Sequence, residues 1–163
     1  MRLMTLTAAL ALTLAVAAPA AAQTAQGVSV AAARDWISGL GGEVGEIERE
    51  GRQVFFSVKD GDLTWFMVLN GCQADAACGD AAFLASFTNP EVTLDKVNAW
   101  NTARRFLKAH YEPAGADGEP TAVVQFDLIL HPRQGVDQMG DALAVWIETS
   151  RAFASHIGYY SAQ

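Results

Sequence analysis

Three observations predict an α+β domain. Segments with helical periodicity stand at both ends of the chain and in its middle, and runs of alternating apolar residues fill the intervals. Two turn signals, Asp60-Gly61 and the Gly/Pro-rich stretch from Pro113 to Pro120, each separate a pair of such runs and predict hairpins. Near the C-terminus Val136, Met139, Leu143, Trp146, Ser150, Phe153 and Ile157 recur at spacings of three and four, apolar at every step but Ser150. The expected order is α-β-β-β-β-α-β-β-α.

Each element has a local reason. Ser29 can cap a first helix, Val30 to Leu40, with Val30, Ala33, Trp36, Ile37 and Leu40 on one face; Gly41-Gly42 ends it. Glu43 to Glu48 reads as a weak strand around Val44 and Ile47, and Glu50-Gly51-Arg52 turns the chain. "QVFFSVKD" places Val54, Phe56 and Val58 on one side. "LTWFMVLN" is apolar on both faces, as in a central strand or one covered twice. "AAFLASFT" gives a fourth strand. After Pro90, Thr93 can cap a second helix whose apolar side is Leu94, Val97 and Trp100, ending near Arg104 or Arg105. "RFLKAHYE" is read as a strand, because the Pro113–Pro120 loop joins it to "TAVVQFDLILH".

The N-terminus predicts the compartment. Arg2 precedes an apolar run from Leu6 to Ala18, and Ala20-Ala21-Ala22 fits a small-residue cleavage site. The run is short of the roughly 20 residues of a membrane span. The expected organisation is therefore a cleaved leader, 1–22, and a single domain, 23–163, in a bacterial periplasmic or secreted protein with no membrane anchor after cleavage. The leader holds one of the 11 basic residues and none of the 18 acidic ones, so its loss takes the formal charge from −7 to −8. Nucleic acid is an improbable partner for such a surface, because binding it relies on neutralising phosphates with Lys and Arg.

In an oxidising compartment Cys72 and Cys78 are expected to pair. The five-residue gap is neither C-x-x-C nor C-x-x-C-H, and no histidine is near to complete a zinc set. No metal and no cofactor is expected.

"FLASFT", "VNAWNTARRFLKAHY", "PTAVVQFDLILHPRQGV" and "VWIETSRAFASHI" together resemble the YbjN family of bacterial proteins, over about Val28 to Ile157. The most specific piece is Trp100-Asn101 followed by Arg105-Phe106 and Tyr111. The resemblance implies an antiparallel sheet with helices packed mainly on one face, similar to type III secretion chaperones. The family is labelled a regulator of sensory transduction and carries no catalytic residues. This chain differs from cytosolic members in its leader and its cysteine pair.

No catalytic constellation stands out. G-x-S-x-G, H-E-x-x-H and a Walker loop are absent from the sequence. Asp60-Gly61-Asp62 reads as a hairpin tip without calcium-loop spacing. Ser155 and His156 are adjacent on a helix and point apart. His110 and His131 lack a third ligand. The expected function is thus non-catalytic: a binding, chaperone-like or regulatory module for an unknown protein or peptide, for which a homodimer is one arrangement. Two surfaces are candidates. One is the exit of the second helix, Trp100, Asn101, Arg104 and Arg105, for which a structural role competes: Trp100 in the core and Arg105 paired with a residue such as Asp127. The other is the outer sheet face with Phe55 and Phe66, uncovered if helices occupy one side only. The alternative is a carrier of a small ligand or lipid, with an apolar pocket between the terminal helix and the sheet.

Overall fold

The computed structural model describes residues 27–74, 77–116 and 118–161. The expected leader lies outside them. Helix α1 spans Val30–Gly39, with the Ser29 hydroxyl accepting from Ala32 N at 3.1 Å. Two short strands follow, β1 (Glu43–Val44) and β2 (Glu48–Glu50). Then come β3 (Gln53–Asp60), β4 (Leu63–Asn70) and β5 (Asp80–Thr88). Helix α2 (Leu94–Ala103) is capped by the Thr93 hydroxyl, which accepts from Lys96 N at 3.2 Å. The hairpin β6 (Lys108–Glu112) and β7 (Thr121–Ile129) leads through a 3-10 turn, Val136–Met139, into α3 (Gly140–His156).

The strands form one antiparallel seven-stranded sheet in the order β1-β3-β4-β5-β7-β6, with β2 also on β3. The expected weak strand at Glu43–Glu48 is instead two pieces that share the edge of β3. The break falls at Gly45, whose backbone N–H donates to Ser57 O at 2.9 Å; a side chain there would collide with the Ser57 hydroxyl. The order thus contains one more strand than the sequence predicts.

Alternation along each strand sorts the side chains. Val58 pairs with Trp65, Phe56 with Met67, Met67 with Phe83 and Ala85 with Val124. These residues are buried on one face, and the apolar sides of α1, α2 and α3 pack there. At the centre Trp65, Phe83 and Trp146 meet with ring centroids 5.3 to 6.1 Å apart. Burying such rings is the main stabilising term, since each removes well over 100 Å² of apolar surface from water. Ser150, the polar step in the stripe of α3, is fully buried and satisfies its hydroxyl on Trp146 O at 2.6 Å.

Cys72 and Cys78 are joined in a disulfide. The bond closes the loop between β4 and β5, Cys78 N donates to Val28 O at 3.0 Å, and Gly27 N donates to Pro132 O at 2.6 Å. The stapled loop, the Gly27–Val28 segment and the chain at Pro132 are thus held together at one end of the sheet, the last two contacts by backbone hydrogen bonds.

Candidate functional site

The exit of α2 is a structural joint. Trp100 is 2 % exposed, its Nε1 donates to Leu107 O at 2.8 Å, and its ring meets Phe153 edge-on at 5.2 Å. The Asn101 amide pairs with the backbone of Ala109 in both senses: Nδ2 donates to Ala109 O at 2.8 Å and Oδ1 accepts from Ala109 N at 2.9 Å. Asn101 thereby stands in for a neighbouring strand on the free edge of β6. Lys108 Nζ donates to Asn101 O and Arg104 O, both at 2.7 Å, satisfying carbonyls that the helix end leaves open. Leu107 sits at φ 60°, which is unfavourable for a branched side chain, and the Trp100 bond holds it there.

Arg104 and Arg105 are exposed. The Arg104 guanidinium lies 5.0 Å from the Trp100 ring and that of Arg105 lies 5.2 Å from Phe106. Asp127 accepts instead from Gln125 Nε2 at 2.6 Å, so the expected Arg105–Asp127 pair is replaced by aromatic contact. Of the four residues singled out here, Trp100 belongs to the core and Asn101 to the edge of the sheet, which leaves the two arginines on the surface.

Phe55 and Phe66 lie on the opposite side of the sheet. Phe55 is across from Val68, Phe66 from Leu84, and Val68 from Ala82. Phe55, Phe66, Val68 and Leu84 are half-buried by one another, and the aromatic and apolar contacts of the helices all fall on the other face. The centre of this outer face is uncharged. Charges flank that centre, with Glu48 directly across from Phe55 and Asp127 directly across from Ala82, and with Lys59, Asp80, Lys108 and Glu112 further out. The two candidate surfaces are therefore on different faces and do not form one site.

A third feature is a cleft of about 630 Å³ between α1, α3 and the β3–β4 hairpin. Trp36, Ile37, Leu40, Val58, Leu143 and Ile147 supply apolar walls. Gly42 lines it as well, where a side chain would press on Ile37 and Val58. Leu40 stands 62 % exposed at the lip. At the other end Arg151 Nη2 donates to Asp60 Oδ2 at 3.2 Å and Asp60 O at 3.1 Å, and Nε lies 3.9 Å from Asp62 Oδ1. Beside them the Tyr160 hydroxyl is buried without a protein partner; its pKa is raised by burial and by the Asp62 carboxylate, with Arg151 opposing. A cleft beside the terminal helix and the sheet is as expected, but its lining comes from three distant segments that no local pattern marks. The overlooked signal was Asp60-Gly61-Asp62, which is both a hairpin tip and the partner of Arg151.

Among the described residues no group of three His, Cys, Asp or Glu side chains could hold a metal ion. No described helix is long and apolar enough to cross a membrane.

An antiparallel sheet with helices on one face and an uncovered apolar strip on the other defines an α+β module. By the match of its family model over residues 30–158, described as "Putative bacterial sensory transduction regulator", the chain belongs to the YbjN family. It is similar to the crystal structure of YbjN from E. coli, described as "a putative transcription regulator", at 19 % identity and a TM-score of 0.49, covering 76 % of this chain and 84 % of that one. Among curated proteins none matches the chain.

Proposed function

We propose that the protein is a non-catalytic binding module that works outside the cytoplasm and recognises a protein partner through the outer face of its sheet. The observation that carries this reading is the half-buried strip of Phe55, Phe66, Val68 and Leu84, which no helix covers. An uncharged centre with charges at the margin is the layout of a protein interface. The family's regulatory description agrees with a role exercised by binding.

The test compares the mature protein with Phe66→Glu, both shown by circular dichroism to be folded. Each is used to capture partners from periplasmic extract of the native host. A partner held by the parent and lost by the variant supports the face; identical capture by both overturns it. Light scattering then decides whether that partner is a second copy. The compartment is tested separately by N-terminal sequencing, with Gln23 as the expected first residue. An intact Met1 refutes secretion.

A second reading, carriage of a small ligand or lipid, is favoured by the cleft. Its volume lies in the usual range for small-molecule sites, and apolar walls ending in a few polar groups are their common composition. The two readings occupy opposite faces and are compatible.

A further inference from the structure

The charges at one end of the cleft select among ligands. Arg151 is the single cationic side chain of the lining, against Asp60 and Glu148, with Asp62 close behind. Its Nη2 is already spent on Asp60, both side chain and carbonyl. Glu148 has no ion pair among the described residues. Asp60 and Asp62 thus face one guanidinium, Glu148 lines the same cleft three residues earlier on α3, and the formal balance of these four side chains is negative. A bound carboxylate or phosphate would have to displace Asp60 from Arg151 while facing Glu148. An ammonium group would meet carboxylates without breaking any existing pair.

We propose that the cleft binds an amphiphile made of one apolar chain and a cationic head, an alkylammonium in chemical class. This rests on the carrier reading above. The chain would lie between Trp36, Leu40, Leu143 and Ile147, and the head would sit between Glu148 and the Asp60–Arg151 pair. The head need not be fully desolvated there, because Asp60, Arg151 and Asp62 all keep water contact. Its contribution is therefore that of partly screened ion pairs, added to apolar burial that any chain of the same length would gain.

The experiment titrates the folded mature protein with dodecylammonium, dodecanoate and dodecanol, each below its aggregation threshold, by calorimetry. The expected result is one site per chain, with the ammonium bound roughly tenfold more tightly than the carboxylate and the alcohol between them. Glu148→Gln is expected to reduce that preference to roughly threefold while leaving dodecanol binding unchanged. Leu143→Trp fills the cleft and is expected to abolish the site for all three; Ile147→Phe serves should that variant not fold. Dodecanoate binding as tightly as dodecylammonium overturns the cationic preference and leaves the carrier reading standing. Ammonium binding that survives Leu143→Trp is surface attraction to an acidic protein and overturns the site. No binding of any chain overturns both.

Discussion

Asn101→Ala is the substitution that most directly tests how the sheet is finished. The side chain makes two hydrogen bonds of good length to one residue, at 2.8 and 2.9 Å, and Ala109 is 9 % exposed. Truncation leaves a backbone donor and an acceptor unpaired where little water reaches. At about 1–1.5 kcal/mol per lost bond the gross cost is roughly 2–3 kcal/mol. Alanine returns about 0.5 kcal/mol of helix propensity, so a net loss of roughly 2 kcal/mol is expected. For a domain of this size that lowers the melting temperature by roughly 5–8 °C. Urea denaturation followed by circular dichroism measures it, and the slope with denaturant should be unchanged. Thr102→Ala, which removes only an exposed bond to Asn98 O, is the control and should stay within about 0.5 kcal/mol of the parent. Asn101→Asp keeps the acceptor for Ala109 N–H but sets a carboxylate oxygen against the Ala109 carbonyl, and should lose at least as much as alanine. If Asn101→Ala falls within about 0.5 kcal/mol of the parent, the edge of β6 is solvated and the side chain does not complete the sheet.

Two further outcomes follow from features away from that edge. Replacing both Cys72 and Cys78 by alanine should cost roughly 2–2.5 kcal/mol on chain-entropy grounds, measured against the oxidised parent; an unchanged midpoint would show that the pairing of Val28 with Cys78 holds the loop unaided. Tyr160 should titrate above the 10.0 of a free phenol in an ultraviolet titration, and because the native state then retains a proton that the unfolded state gives up, stability should fall as pH rises above about 10; Tyr160→Phe removes that component, and an unaltered alkaline profile in this variant refutes the assignment.

Most of the secondary structure was legible because it rests on local signals. Ser29 and Thr93 cap the helices expected of them, Asp60-Gly61 closes its hairpin, and the 3-4 stripe of the last helix packs through Trp146, Phe153 and Ile157. The disulfide was legible from spacing and the expected compartment. What stayed hidden depends on tertiary approach. The split between β1 and β2 arises because Gly45 lies against Ser57, which no local pattern reveals. Trp100 and Asn101 carry the most specific motif, yet they serve the fold: a tryptophan buried against Phe153 and bonded to Leu107 O, and an asparagine that mimics a strand, read the same in sequence as recognition residues. The cleft was invisible in detail because residues near 40, 60 and 147 meet only once the sheet and both outer helices are assembled.

The strand order also governs how the chain can reach its native state. After β5 the polypeptide does not add the next strand alongside. It crosses through α2 and lays down β6 one position further out, leaving a gap a single strand wide. That gap is filled from the far side by β7, which pairs with β5 along its whole length and with β6 along half of it. Without residues 121–129 the edge of β5 has no partner and is open to a foreign strand. The insertion must also be in register, because a slip of one residue would turn Gln125 and Asp127 toward the core and Phe126 and Leu128 away from it. A chain cut short before Thr121 is therefore left with β1 to β5 ending in the open edge of β5, and with β6 as a lone strand that has no other strand to pair with.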